Sequence, residues 1–132
     1  MKRFKKVPLL KAGIIDGNRT MFTPECLKDF AKKSGQVKLT MDYDGPQLGV
    51  CEKFKFKKDL LSCDLIFNRE KQNLGENLYP CISAKVDSYS YKNMGKQEID
   101  IVEKASLISV GMCNTHSDKN IKPIKIKKEK KQ

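Results

Sequence analysis

The sequence has a single histidine, His116, and none of its five cysteines forms a Cys-x-x-Cys pair. Metal sites need clustered imidazole, thiolate or carboxylate ligands, so no metal is expected. Glycine-rich phosphate loops of the GxGxxG or GxxxxGK[ST] kind are missing as well, which argues against nucleotide chemistry and against any cofactor. No apolar run approaches the ~20 residues that span a bilayer, and Val7-Pro8-Leu9-Leu10 is too short for a signal-peptide core. No membrane partner is therefore expected. The cysteines, Cys26, Cys51, Cys63, Cys81 and Cys113, are odd in number and widely spaced, so they read as small buried thiols of a reducing compartment.

A nucleophilic mechanism needs a base within hydrogen-bond reach of its nucleophile. His116, the only imidazole, lies in the polar stretch Asn114-Thr115-His116-Ser117-Asp118 and is expected at the surface. Asp42 and Asp44 flank Tyr43 and could act as a carboxylate pair, though a solvated loop accounts for them far better. No catalytic residue is assigned.

What the chain does have is charge at its ends. Residues 1–11 carry Lys2, Arg3, Lys5, Lys6 and Lys11 with no acid. Residues 119–132 carry seven lysines and one acid, Glu129. The stretch between holds 15 basic and 15 acidic residues, so the ends account for the whole net charge of +11. Cationic ends seek an anionic partner, whether protein, nucleic acid or lipid, or serve only as solubilising appendages. The partner-binding residues are accordingly placed at Lys2, Arg3, Lys5 and Lys6, and at Lys122, Lys125, Lys127, Lys128, Lys130 and Lys131. The last 14 residues hold no aromatic side chain, so they offer no stacking surface to bases.

At 132 residues the chain suits one domain. It divides into a basic N-terminal arm over 1–11, a single β-rich domain over 12–118 and a basic C-terminal tail over 119–132. Thr23 as N-cap, Pro24 at the first helical position and Glu25 in the first turn predict a helix over about 24–34, with Gly35 ending it. Leu27, Phe30 and Ala31 share its apolar face. Alternation predicts strands at Val37–Met41, around Phe54 and Phe56, and through Leu61, Cys63, Leu65 and Phe67, the last two runs forming a hairpin. Further strands are expected from Cys81 to Ser88 and, in two pieces, from Glu98 to Cys113, with a turn at Lys92–Gly95. The expected fold is α+β and mostly antiparallel β, a small barrel-like sheet with one clear short helix.

The run Thr40-Met41-Asp42-Tyr43-Asp44-Gly45-Pro46-Gln47-Leu48-Gly49-Val50, the hairpin ending Leu60-Leu61-Ser62-Cys63-Asp64-Leu65, and the later Ala105–Cys113 leading through Asn114 and Asp118 to Ile121 resemble the head-maturation (prohead) proteases of tailed phages. The resemblance covers most of residues 7–124. It implies a catalytic histidine at Tyr43, a serine near Ser83 and a supporting glutamate at Leu107. Tyrosine, with a pKa of about 10, cannot replace an imidazole base, and leucine cannot orient one. The resemblance thus implies a protease-like fold without proteolysis. It suggests an auxiliary, decoration or cement protein of the virion, assembled in the host cytoplasm and bound to the major capsid protein or other virion proteins. An active or atypical prohead protease, and a small nucleic-acid-binding protein acting through its tails, are the alternatives.

Overall fold

Alternating apolar and polar residues make seven strands and one helix in the computed structural model, which describes residues 2–14, 19–42, 45–68, 78–113, 116, 121 and 123. The strands are β1 (Lys2–Lys11), β2 (Thr20–Phe22), β3 (Val37–Met41), β4 (Gln47–Lys57), β5 (Leu60–Phe67), β6 (Tyr79–Met94) and β7 (Gln97–Cys113); the helix α1 (Pro24–Lys33) lies between β2 and β3. They form one curled sheet in the order β1-β5-β4-β3-β7-β2, with β6 on the free side of β7. Pairing is antiparallel except where β2 and β3 run parallel to β7. The mostly antiparallel, barrel-like α+β fold is the one expected.

The helix forms for the reasons its sequence suggests. Thr23 Oγ1 accepts the Cys26 amide at 3.2 Å, and the Ser34 amide donates to the Phe30 carbonyl at 3.0 Å. Gly35 follows with φ +58, a left-handed value that glycine adopts without a Cβ penalty. Cys26, Leu27 and Phe30 are buried against the concave side of the sheet, in a core shared with Leu9, Leu39, Leu61, Leu65, Val110 and Met112.

Three expectations change. The N-terminal arm is a full strand, β1, paired along its length with β5, because Phe4, Val7, Leu9 and Leu10 have apolar surface to bury there. The last strand is one continuous 17-residue element rather than two pieces, since β6 supports it from end to end. The turn after β6 falls at Gly95–Lys96, where Gly95 takes φ +67.

The hairpin joining β4 and β5 turns at Lys58 and Asp59, with φ of 52° and 63°, the left-handed pair that matches strand twist. Bulges lie on both sides of β5. Lys5 and Lys6 together face Asp64 on one side, Lys53 and Phe54 face Cys63 on the other, and Lys6 and Lys53 hold φ of 52° and 55°. These bulges sharpen the curl of the sheet. They also offset Cys51, which sits opposite Leu65 and diagonal to Cys63, and the two thiols hydrogen-bond. All five cysteines are buried, and none forms a disulfide. The curl brings β1 near β6, and there the His116 ring nitrogen Nε2 lies 2.9 Å from the Leu9 carbonyl, with Ile121 buried.

Candidate functional site: a cationic sheet face

Directly paired residues on neighbouring strands point to the same side of a sheet. On the convex side, Lys11, Leu60 and Lys57 form one row, and Pro8, Ser62 and Lys55 form the next. Further along come Lys5 and Lys6, Asp64 and Glu52, and then Arg3 beside Ile66. The three strands with their turn contain nine basic residues against three acids, Glu52, Asp59 and Asp64. Arg3, Lys5, Lys6, Lys11, Lys53, Lys55, Lys57 and Lys58 are all exposed there. The division into charged ends and an even body therefore holds along the chain but not in space. β1 brings its cations alongside the four lysines of the β4–β5 hairpin, and the result is one rigid cationic face.

Asp64 organises this face from below. It is only 6% exposed, because β1 covers it. Arg3 Nη1 donates to Asp64 Oδ2 at 2.7 Å, and the Lys6 amide donates to Oδ1 at 3.1 Å. The other guanidinium nitrogen stands 3.6 Å from Glu52 Oε1. Burial pushes the Asp64 carboxyl up, but the Lys6 amide, the Arg3 guanidinium and the Lys53 charge together hold it below its ordinary value. The charge of exposed Arg3 is thus paired with Asp64 and Glu52, whereas Lys5, Lys6 and the hairpin lysines present theirs outward. Sequence reasoning named Lys2, Arg3, Lys5 and Lys6 and missed Lys53, Lys55, Lys57 and Lys58. The alternation of lysine with Phe54 and Phe56 was the available signal: it marked these lysines as outward. Of the other sequence-derived positions, Lys2 lies in β1 opposite Phe67. Lys122, Lys125, Lys127, Lys128, Lys130 and Lys131 fall outside the described residues.

The positions implied by the protease resemblance behave differently. Ser83 is half-buried on β6 and pairs with Ser109, while Leu107 pairs with Ala84 and packs on the core. Consecutive residues of a strand point to opposite faces, so Ser83 and Leu107 are on opposite sides of the sheet. Tyr43 and Asp44 lie outside the described residues. Asp42 is exposed, and its backbone is fixed by the Met112 carbonyl at 3.0 Å. His116 is half-buried rather than at the surface, and it faces a carbonyl that can only accept, so Nε2 carries the proton. Among the described residues no group of three His, Cys, Asp or Glu could hold a metal ion, and no helix is long and apolar enough to cross a membrane.

Comparison with known protein families, curated proteins and solved structures finds no match to this chain.

Proposed function

We propose that the chain is a non-enzymatic structural protein of a tailed-phage virion, an auxiliary or cement protein that clamps an acidic surface of the capsid. The cationic face of β1, β5 and β4 carries this reading. Its lysines are mounted on paired strands, so binding costs little backbone ordering, and several weak contacts act together. The large apolar side chains exposed among the described residues are Val86, Tyr89, Tyr91 and Ile108, all distant in sequence from this face. A face of lysines without stacking rings suits an acidic protein surface better than single-stranded nucleic acid. The opposed placement of Ser83 and Leu107 supports a role without catalysis.

The test is mass spectrometry of purified particles combined with charge reversal. The intact chain should be present in mature virions, and Lys5→Glu with Lys55→Glu and Lys57→Glu should strip it from them while leaving its circular dichroism unchanged. Presence only in immature particles, with capsid processing lost in Ser83→Ala, would establish a protease instead. Retention of the charge-reversed chain on particles would remove the cationic face from the binding mechanism.

A further inference from the structure

In the outer part of the β6–β7 hairpin, β2 flanks β7 at Asp100–Val102 while residues 85–93 of β6 are all exposed. This outer part, Tyr89–Met94 paired with Gln97–Val102, is free of bulges. Tyr91 pairs with Asp100 and Asn93 with Glu98, so Tyr89, Tyr91, Glu98 and Asp100 share one side of this ribbon. The tyrosines are 51% and 58% exposed, pack edge-to-face with centroids 5.1 Å apart, and join their hydroxyls at 2.8 Å. The other side carries Ser90 and Lys92 opposite Ile101 and Ile99. Among the described residues β6 pairs with β7 alone, so Tyr89–Met94 is an edge strand.

The tyrosine side of this edge selects a ligand. Two aromatic rings beside two carboxylates attract a primary ammonium through ring quadrupole and charge. On the other side Ile99 is already buried and the edge itself presents Ser90 and Lys92, so that side adds no selection. The occupant should be an extended segment with lysines at alternate positions, all on one side. Ile124-Lys125-Ile126-Lys127-Lys128 of this chain has that alternation. Five extended residues span about 17 Å, which fits within the roughly 20 Å of a six-residue edge.

We propose that residues 124–128 of one copy add as a strand to the Tyr89–Met94 edge of a second copy, with Lys125 and Lys127 over the Tyr89–Tyr91 pair and its carboxylates. Main-chain pairing gives the affinity, and the lysines over the tyrosine–carboxylate side give the register. The contact joins two different surfaces of the chain, so it either closes reciprocally into a dimer or propagates into a longer array. It does not depend on what the cationic face binds.

The full chain tests this through its oligomeric state and through cross-linking. Light scattering should show self-association that weakens with salt, and Glu98→Gln with Asp100→Asn should weaken it about tenfold, the loss expected for a cation–aromatic contact and its flanking charges. Ser90→Cys and Ile126→Cys variants, which the proposed register places side by side, should form a disulfide between chains when mixed and oxidised, while the five native thiols stay protected by burial. Any of three results overturns the proposal. The chain could be monomeric at all concentrations. A double Cys variant could close within a single chain at high dilution. A chain ending at Pro123 could associate as well as the full one.

Discussion

Asp64 shows how much one side chain can control when two strands meet over it. It receives the Lys6 amide at the β1 bulge and the Arg3 guanidinium, so it joins β1 to β5 and holds a lysine in a left-handed conformation that a non-glycine residue seldom adopts. Asp64→Asn should cost about 1–2 kcal/mol in urea unfolding, below the upper range for charge-assisted bonds because Arg3 is 36% open to water. The pH dependence has a definite sign. A carboxyl held below its ordinary value in the folded state binds fewer protons there than in the unfolded chain. Its contribution is complete above the ordinary carboxylate range and is lost as pH falls below about 4. Wild type should therefore lose stability faster than Asp64→Asn on acidification, and parallel acid titrations of the two would rule this out. The cysteines make a second residue-scale case. Burial and the Asp29 charge push the Cys26 thiol up to about 11, and the hydrogen bond with Cys51, followed by burial, raises Cys63. Thiolate is the reactive form. Disulfide-exchange reagents at pH 8 should modify the native protein only at the rate of global unfolding, and all five thiols should react together in denaturant. Fast labelling of one thiol in native buffer would show that its surroundings open locally.

At the scale of elements, local chemistry was legible and distant pairing was not. Thr23, Pro24 and Glu25 carried enough capping information to place α1, and alternation placed β3 and β5 to the residue. β2 escaped because three residues show no periodicity, and its existence depends on parallel pairing with Asp100–Val102. β1 was read as an arm because half of its ten residues are basic, and nothing nearby in sequence reports that β5 waits to receive it. Gly49 was legible only as part of a loop-to-strand run. In the sheet it lies between Leu39 and Phe67, and a methyl group there would collide with the Ile66 carbonyl. Gly49→Ala should cost at least the upper end of the about 1–3 kcal/mol typical of overpacking, since backbone cannot turn aside as a side chain can. Unchanged stability in urea would mean that β4 and β5 pair in a different register.

For the whole molecule, counting charge along the chain gave the correct total and the wrong geography. Lys53, Lys55, Lys57 and Lys58 are balanced by acids in sequence, yet the fold places them beside β1 and carries Glu98 and Asp100 away on the ribbon. The cationic face could be recovered only after the pairing of β1 with β5 was known. The position of β7 has a different consequence, one that concerns biosynthesis. β7 is the strand to which β2, β3 and β6 all pair, and it comes after every one of them in the chain. A ribosome therefore releases β1 to β5 before the strand that joins β2 to the four-stranded β1-β5-β4-β3 sheet exists. During that interval β3 exposes an open edge, and α1 lacks part of the surface it packs on. Such an order couples folding to late, long-range contacts, which slows it and lengthens exposure to aggregation. Nascent chains halted before Gln97 should stay protease-sensitive, and the chain should become resistant only when Cys113 has cleared the exit tunnel.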